Sequence, residues 1–329
     1  MQTSEQVKGL VNLLHNKLEN ERAIDLVKAS FTEQLSQRLN LVRVTAPIAV
    51  DVNSGLNDDL NGIERPVSFP IRCMNNHQAV VVHSLAKWKR LRLGQLGAEP
   101  GVGILTDMKA LRPDEDLGPL HSLYVDQWDW ERCINRDQRE LSFLKNVVLE
   151  IYDAMKSAEI IVYQRFPQIE PILPEKITFI HAQELLDRYP NLSPKERENK
   201  AAREHGAIFL MGIGGALSNG EPHDGRAPDY DDWSTQTSPG RYGLNGDIIV
   251  WNPITQGAFE LSSMGIRVDE ATLLKQLSIR GCPERKEMPF HKQLLNGELP
   301  QSIGGGIGQS RVCMFMLRKR HIGEVQASI

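Results

Sequence analysis

A glycine-rich segment late in the sequence is the first candidate for binding a charged ligand. Gly304, Gly305, Gly306 and Gly308 precede Arg311 and an apolar run. Glycines let a backbone approach a ligand closely, and an arginine at the start of the following helix can reach a nucleotide or a phosphate. A glycine-rich turn with a purely structural role explains the same residues, so this segment alone leaves both interpretations open.

Two further polar pairs belong to a predicted hairpin. Arg112 lies at the foot of its first arm and Glu115 in its turn. The guanidinium fork suits bidentate recognition of phosphate, and a carboxylate can accept from an exocyclic amine; a surface ion pair is the simpler alternative. Gln127 and Asp129 are two apart on the returning strand and therefore share a face, where a ligand pocket would supply their partners. An exposed sheet face explains this second pair as well.

Acidic residues on two later strands are candidates for binding a divalent cation. Asp247 and Glu260 each lie on a predicted strand, and Ser262, Ser263 and Arg267 follow the second of them. Carboxylates from adjacent strands are the hard oxygen ligands that magnesium needs when it bridges nucleotide phosphates. Two acids on different strands are otherwise a weak signal of a metal site.

The elements that must position these residues follow from hydrophobic periodicity. A helical pattern ends at Asn40, and an alternating strand with Pro47 at its end follows it. A hairpin joins 103–112 to 121–131. Other predicted elements are a buried strand over 79–82, helices over 84–92 and 139–166, a capped helix from Ser193 to Gly206, strands over 207–211, 247–251 and 258–268, and a glycine-rich turn leading into an apolar helix over 301–317. Antiparallel strands with helices before and after them indicate an α+β fold.

Composition narrows the class of protein. The 329 residues carry 38 Lys and Arg against 42 Asp and Glu, a formal charge of −4, and 40% are hydrophobic, which suffices for a sizeable core. There is no basic stripe, so nucleic acid is not expected as a partner, and no apolar run has the length of a signal peptide or a membrane span. The four cysteines have no disulfide or zinc spacing. We expect one domain over 1–329, located in the cytoplasm with no membrane partner.

Taken in order, these elements resemble the three motifs of class II aminoacyl-tRNA synthetase catalytic domains. The motifs match the helix, strand and Pro47, the hairpin with Arg112 and Glu115, and the glycine segment with Arg311. Within that superfamily the sequence is most similar to the ammonia-dependent asparagine synthetases, the aspartate–ammonia ligases. The likeness runs over about 23–326. The stretches that carry it are 82–90, 108–116, 124–131, 226–234, 246–247, 251–253 and 259–268.

The resemblance implies a single catalytic domain of the class II type, with a mostly antiparallel sheet flanked by helices, and an ATP-dependent reaction. In the family, ATP adenylates the side-chain carboxylate of aspartate and releases pyrophosphate; ammonia then displaces AMP to give asparagine. Arg112 would hold the α-phosphate and steady the charge that develops as the carboxylate attacks it. The resemblance implies ATP-binding roles for Arg112, Glu115, Arg267 and Arg311, and Mg²⁺ ligation by Asp247 and Glu260.

The aspartate pocket is implied in the same way. Gln127 would lie close to the reacting carbonyl, and Asp58 matches a family acid on a loop that closes over the site and is suited to orient or deprotonate the ammonium nucleophile. Asp58 stands among Asn, Asp and Gly residues, which form turns regardless of function, and a one-residue slip would exchange it with Asp59. The implied substrate-binding residues are Ser84, Lys89, Asp129, Arg226, Asp231, Ser262 and Ser263.

The nitrogen donor and the partners follow from the same comparison. A glutamine-hydrolysing synthetase needs a nucleophilic cysteine, at the mature N-terminus in one class, whereas Gln2 follows Met1 here. Aspartate, ATP and free ammonia are therefore the expected substrates. Class II relatives dimerise through the helix–strand–Pro47 element, so we expect a homodimer, with residues 1–22 as a variable N-terminal extension. Two alternatives are a relative of the aspartyl- and asparaginyl-tRNA synthetases without an anticodon-binding domain, and a non-catalytic paralogue that senses aspartate or nucleotide.

Overall fold

The computed structural model describes residues 13–14, 16–58 and 64–327, and an eight-stranded sheet forms the centre of this part of the chain. The five inner strand pairs are antiparallel, while the two edge strands run parallel to their neighbours. The predicted mostly antiparallel sheet is thus confirmed. In sheet order the strands are β1 (Leu41–Arg43), β5 (Gly103–Leu111), β6 (Tyr124–Cys133), β13 (Ser302–Gly308), β12 (Gly257–Ile266), β11 (Asn245–Asn252), β8 (Ala207–Met211) and β7 (Thr178–His181).

The other strands form two small sheets. β2 (Ala49–Asp51), β4 (His77–Val81) and β3 (Ser68–Ile71) pair antiparallel in that order, and β9 (Gln236–Ser238) pairs with β10 (Arg241–Tyr242). The α-helices of the described residues are α1 (Lys17–Leu39), α2 (Ala86–Gln95), α3 (Leu141–Arg165), α4 (Ala182–Arg188), α5 (Pro194–His205), α6 (Glu270–Ile279), α7 (Pro289–Leu295) and α8 (Gln309–Met316).

Local signals set the ends of the helices. α1 stops where Asn40 takes left-handed backbone with φ 54°, which an asparagine tolerates. At the start of α5, Ser193 accepts from the Glu196 N–H while the Glu196 side chain accepts from the Ser193 N–H, and Gly206 ends the helix with φ 74°. These predicted ends are confirmed. Most of the predicted extension, 1–22, lies outside the described residues.

The glycine-rich segment is a strand, so the prediction of a turn there was wrong. β13 lies between β6 and β12 and pairs with both of them. A Cβ atom at Gly304 would overlap the Glu131 carboxylate, and one at Gly306 would overlap the Gln127 side-chain amide. Glycine is required because polar side chains of β6 lie across this strand. The apolar helix predicted to follow it is confirmed as α8.

The main core lies between one face of the large sheet and helices α1, α3 and α8. Trp128 and Trp130 of β6 point into it, and Phe31 of α1 packs edge-on against Trp128 with ring centroids 4.6 Å apart. Because side chains alternate along a strand, Gln127 and Asp129 face the other way, as predicted. No helix in the described ranges is long and apolar enough to cross a membrane.

Candidate active site

A cleft of about 560 Å³ opens over the face of the sheet that points away from the main core. Its floor is formed by β6, β12 and β13, and its walls by the turn between β5 and β6 and by residues 224–231. Thirteen of the fifteen predicted site residues line it, so segments far apart in the sequence meet at one place. They are Asp58, Ser84, Lys89, Arg112, Glu115, Gln127, Asp129, Arg226, Asp231, Glu260, Ser263, Arg267 and Arg311.

Ser262 is not among the residues that line the cleft, so the structure gives its predicted substrate contact no support. On β12 it pairs with Ile307 and lies opposite Ile248, and both isoleucines are part of the main core. Its hydroxyl is buried and has no hydrogen-bond partner among the described residues. Ser263, the next residue, lines the cleft, because adjacent side chains of a strand point to opposite faces.

The hairpin turn places Arg112 and Glu115 at one end of the cleft. Arg112 Nη2 donates to the His83 carbonyl at 3.3 Å, while its Nε is buried without a partner in the described part of the chain. Glu115 Oε1 lies 3.9 Å from His121 Nε2. A buried guanidinium nitrogen with no protein acceptor is costly unless a ligand or water accepts from it. This end of the cleft is therefore suited to an anion.

Arg311 reaches the same end of the cleft from the first turn of α8. Its Nη1 donates to the Glu260 carbonyl at 3.2 Å and lies 3.7 Å from Glu260 Oε2. Both side chains remain partly exposed. Arg311 and Arg112 thus present two cationic groups to the cleft from different elements.

The floor of the cleft contains a buried lysine held by a carboxylate. Lys89 of α2 contacts Asp129 Oδ1, and its Nζ donates to the Gly305 carbonyl at 2.9 Å. Burial lowers the pKa of Lys89 below its usual value despite the Asp129 charge. Asp129 Oδ2 is buried and has no partner among the described residues. This free carboxylate oxygen is available to a ligand that carries a hydrogen-bond donor.

Beside the Lys89–Asp129 pair, Arg267 forms ion pairs with two buried carboxylates. Its guanidinium donates from Nε and Nη2 to Glu131 and from Nη1 to Asp231. Burial alone would lower the pKa of Arg267, but the two carboxylates outweigh it and raise the pKa above its usual value. Because its donors are already engaged, the geometry favours a role in holding Asp231 and Glu131 over the predicted direct contact with ATP.

Arg226 continues this network of buried ion pairs towards the wall of the cleft. Its Nη2 donates to Asp247 Oδ1 at 2.6 Å, and its Nε lies 3.4 Å from Asp231 Oδ2. Asp247 does not line the cleft directly because it is 6% exposed and lies behind Arg226. The predicted aspartate-binding arginine and a predicted metal ligand are therefore hydrogen-bonded to each other.

Asp247 and Glu260 meet the basic requirement of a magnesium site. They lie on the neighbouring strands β11 and β12, and burial, opposed by Arg226 and reinforced by the Glu260 charge, raises the pKa of Asp247 to about 7. Within the described ranges, no group of three or more acidic, His or Cys side chains is arranged to hold a metal ion. Two carboxylates still fit, because Mg²⁺ commonly takes one or two from the protein and the rest of its ligands from phosphates and water.

The loop after β2 places Asp58 at the cleft beside the start of α2. Asp58 is buried, its Oδ2 accepts from the Ser84 hydroxyl at 2.9 Å, and its backbone carbonyl lies 3.1 Å from His83 Nδ1. These contacts fix the side chain against the start of α2. Asp59, the neighbour that a one-residue slip would exchange with it, lies outside the described residues.

Several polar residues at the site were not predicted, and Glu131 and His121 are two of them. Glu131 continues the alternation of Gln127 and Asp129 on β6, so the two-residue period was a signal that could have identified it. His121 lines the cleft near Glu115, and burial together with the Arg311 charge lowers its pKa. The spacing of residues in the sequence does not identify His121 as a site residue, because it lies in the irregular end of the hairpin.

Comparisons with known proteins identify the family to which the chain belongs. The family sequence model described as aspartate-ammonia ligase matches residues 18–329. A protein named aspartate–ammonia ligase from Parabacteroides distasonis is 58% identical over 322 residues, 98% of this chain and 92% of that protein. One of the same name from Clostridium perfringens is 57% identical over 322 residues, 98% of this chain and 93% of that protein.

Solved structures with the same fold include tRNA synthetases. Asparaginyl-tRNA synthetase from Pyrococcus horikoshii, complexed with asparaginyl-adenylate, superposes with a TM-score of 0.69 at 15% identity, over 94% of this chain and 70% of that one. Asparaginyl-tRNA synthetase from Entamoeba histolytica gives 0.67 at 12% identity, over 94% and 67%. These similarities confirm the predicted class II synthetase fold, and the matched sequences show that the chain belongs to the aspartate–ammonia ligase family, which is a family of ligases.

Proposed function

We propose that this protein makes L-asparagine from L-aspartate, ATP and ammonia through a β-aspartyl-adenylate. One structural observation supports the proposal in addition to family membership. The same cleft has paired cationic and acidic groups at its floor and two arginines at one end. Lys89 and Arg226 complement a carboxylate, Asp129 offers a free carboxylate oxygen to an ammonium group, and Arg112 and Arg311 complement phosphates.

Aspartate is bound across the sheet in this proposal. Lys89 and Arg226 bind its α-carboxylate, and Ser84 and Asp129 contact its other polar groups. Gln127 lies on the same face of β6 as Asp129 and is placed to donate to the reacting carbonyl oxygen. Asp231 and Ser263 complete the pocket, and Arg267 holds Asp231 in place through the buried ion pair.

ATP occupies the end of the cleft with the hairpin turn. Glu115 accepts from the adenine amine, and Arg311 packs on the nucleotide from α8. A side-chain carboxylate oxygen of aspartate attacks the α-phosphorus, the bond to the β-phosphate oxygen breaks, and pyrophosphate leaves. Arg112 binds the α-phosphate oxygens, on which negative charge builds up in the transition state.

Ammonia completes the reaction from the side of Asp58. Asp58 orients the ammonium ion and takes a proton from it, and its Ser84 hydrogen bond keeps the carboxylate in place. The freed ammonia attacks the carbonyl carbon of the adenylate, the carbon–oxygen bond to the phosphate breaks, AMP leaves with that oxygen, and the nitrogen loses its second proton to water. Gln127 binds the carbonyl oxygen as it becomes negative.

Asp247 and Glu260 would hold Mg²⁺ at the wall of this cleft, which Glu260 lines directly and Asp247 approaches from behind Arg226. The ion would neutralise charge on the phosphates and favour departure of pyrophosphate. Arg226 sets the position of Asp247 through the 2.6 Å hydrogen bond and so links the metal ligands to the aspartate pocket.

Mg²⁺ affinity is expected to depend on pH in a definite direction. Asp247 must be ionised to bind the cation, and its pKa is raised to about 7. Protons therefore compete with Mg²⁺ below about pH 7, so the affinity should fall about tenfold for each pH unit below that value and stay level above it. Calorimetric titration of the protein alone with Mg²⁺ measures this. Asp247→Asn should remove the dependence, and an affinity that does not change with pH in the unmodified protein would contradict the ligand assignment.

The homodimer forms through α1, β1 and the segment that contains Pro47 in this proposal. β1 is an edge strand of the large sheet, with one side paired to β5. Val42 on it is 59% exposed and Ile48 is 67% exposed, and Phe69 and Met74 are also exposed large apolar residues. An exposed apolar strand edge is usually covered in a native assembly.

A charge on this edge should separate the subunits. We expect Val42→Asp to convert the protein from dimer to monomer, because an aspartate in an apolar interface lacks a partner. Sedimentation equilibrium measures the change. Leu274→Asp on α6 is the matched control, since Leu274 is also exposed, at 46%. A dimer that survives in the Val42 variant, or a native protein that is monomeric, would exclude this interface.

We place the reaction in the cytoplasm. Cys73, Cys133 and Cys313 are free thiols within the described part of the chain, which suits a reducing compartment. Two of them, Cys133 and Cys313, are buried, and burial raises their thiol pKa values, so they are poor nucleophiles. This supports free ammonia, rather than glutamine, as the nitrogen donor.

One assay tests the proposed function. The protein is incubated with aspartate, ATP, Mg²⁺ and ammonium, and AMP and asparagine are measured together. We expect equal amounts of both products, with little asparagine when glutamine replaces ammonium. Product formation that requires tRNA would favour the synthetase-like alternative, and asparagine made from glutamine at a comparable rate would contradict the proposed nitrogen donor.

A further inference from the structure

Asp126 is a buried carboxylate that connects three elements at the end of the cleft proposed for ATP, where it and Ser310 are among the lining residues. It precedes Gln127 on β6, so its side chain points to the helix side of the sheet. Its Oδ1 accepts from the backbone N–H and the hydroxyl of Ser310 at 3.0 and 2.6 Å, and its Oδ2 accepts from Lys28 Nζ at 2.9 Å. Asp126 and Ser310 are each 3% exposed. Both carboxylate oxygens are thus engaged by α8 and α1.

The residues on either side of Ser310 show what this contact can position. Arg311 follows it in the first turn of α8, and Gln309 precedes it and donates to Asp107 Oδ1 at 2.6 Å. The far end of Arg311 donates to the Glu260 carbonyl at 3.2 Å. The arginine is therefore fixed at two places, its backbone by the strands under α8 and its guanidinium by β12.

We propose that Asp126 is a positioning residue for Arg311 and that Lys28 connects it to α1. The inference rests on the proposed function, in which Arg311 contacts ATP. A carboxylate is well suited to this task, because the first turn of a helix has free N–H groups and a partial positive charge. Lys28 balances the remaining charge. Since α1 belongs to the proposed dimer element, the contact also links subunit assembly to the ATP end of the cleft.

Asp126→Asn tests the proposal with little change in volume. Whichever way the amide is turned, its NH₂ group meets a donor, either the Ser310 N–H or the Lys28 ammonium, so the start of α8 must shift. We expect the KM for ATP to rise about tenfold and the KM for aspartate to change less than about twofold. Added to Arg311→Ala, the same substitution should raise the KM for ATP by less than about twofold more, because residues that act through one another are not additive.

Glu159→Gln is the matched control. Glu159 is also 3% exposed, it accepts from the backbone N–H groups of Ile172 and Leu173 at 2.8 and 3.2 Å, and it lies in α3, outside the cleft. It should lower the thermal midpoint and leave both KM values unchanged. Ser310→Ala is the second variant, to be used if Asp126→Asn does not fold; it removes one hydroxyl bond and should raise the KM for ATP about threefold.

The outcomes separate the inference from the function on which it rests. A rise in both KM values together, or a full Asp126→Asn effect in the Arg311→Ala background, would overturn the positioning role. If Arg311→Ala alone leaves the KM for ATP unchanged, the ATP contact of Arg311 is refuted and the inference fails with it. Asparagine formation by the unmodified protein decides the proposed function independently of both.

Discussion

Replacing Arg112 by alanine is expected to lower the rate of aspartate adenylation about 1000-fold. In the proposed reaction, Arg112 binds the α-phosphate oxygens where charge builds up, and no second cation in the described cleft approaches from the hairpin turn. The described residues give Arg112 one hydrogen bond, to the His83 carbonyl, so its removal should not disturb the fold. Aspartate-dependent exchange of pyrophosphate into ATP, measured without ammonia, reports this step alone.

Two variants make the Arg112 result specific. Arg112→Lys keeps the charge but not the bidentate fork, so it should recover only part of the rate. Arg136→Ala removes an exposed arginine that pairs with Glu270 at the surface and should change the rate by less than about twofold. An Arg112→Ala variant that retains more than about a tenth of the native exchange rate would contradict the assigned phosphate contact.

Arg267→Met should have the largest effect on stability. The substitution leaves Glu131 and Asp231 buried at 0% and 1% exposure without their shared cation. Breaking one side of a buried ion pair lowers the free energy of unfolding by about 3–5 kcal/mol, because Glu131 loses its ion pair and Asp231 keeps only its 3.4 Å contact with Arg226. Activity should also be lost, since Asp231 is held by Arg267. Urea unfolding followed by tryptophan fluorescence, with Trp128 and Trp130 in the core as probes, measures the change.

The cause of this loss can be separated from a general loss of packing. Adding Glu131→Gln to Arg267→Met removes one of the two carboxylate charges that have lost the Arg267 cation. This should recover part of the free energy of unfolding. Arg136→Ala breaks an ion pair at the surface and should cost less than about 1 kcal/mol. If the Arg267→Met variant unfolds at the same urea concentration as the native protein, the buried carboxylates are compensated in another way. The stabilising role assigned to the Arg267 ion pairs in the cleft floor is then wrong.

Much of the fold was predictable because local signals were strong. The helix end at Asn40, the capping box at Ser193 and the alternation on β6 each depend on contacts within a few residues, and each was confirmed. The order of the motifs then placed distant polar residues in one site through the resemblance. Most of them line one cleft in the structure.

The features that could not be predicted are set by the register of strand pairing and by side chains that approach closely from neighbouring strands. Ser262 and Ser263 are adjacent, so only one of them can face the cleft, and that choice is set by the pairing of β12 with β13. The glycines of β13 looked like a turn because the sequence does not show that Glu131 and Gln127 lie across them. Asp126 was passed over for the same reason, since its partners Lys28 and Ser310 are distant in sequence.

The fate of one oxygen atom tests the central claim most directly. Aspartate labelled with ¹⁸O in its side-chain carboxylate is converted with ATP and ammonium, and the products are examined by mass spectrometry. If the carboxylate attacks the α-phosphorus and ammonia then displaces AMP, one labelled oxygen must leave with AMP and the other must remain in asparagine. Label in inorganic phosphate, formed together with ADP, would show attack on the γ-phosphorus and would contradict the adenylate mechanism.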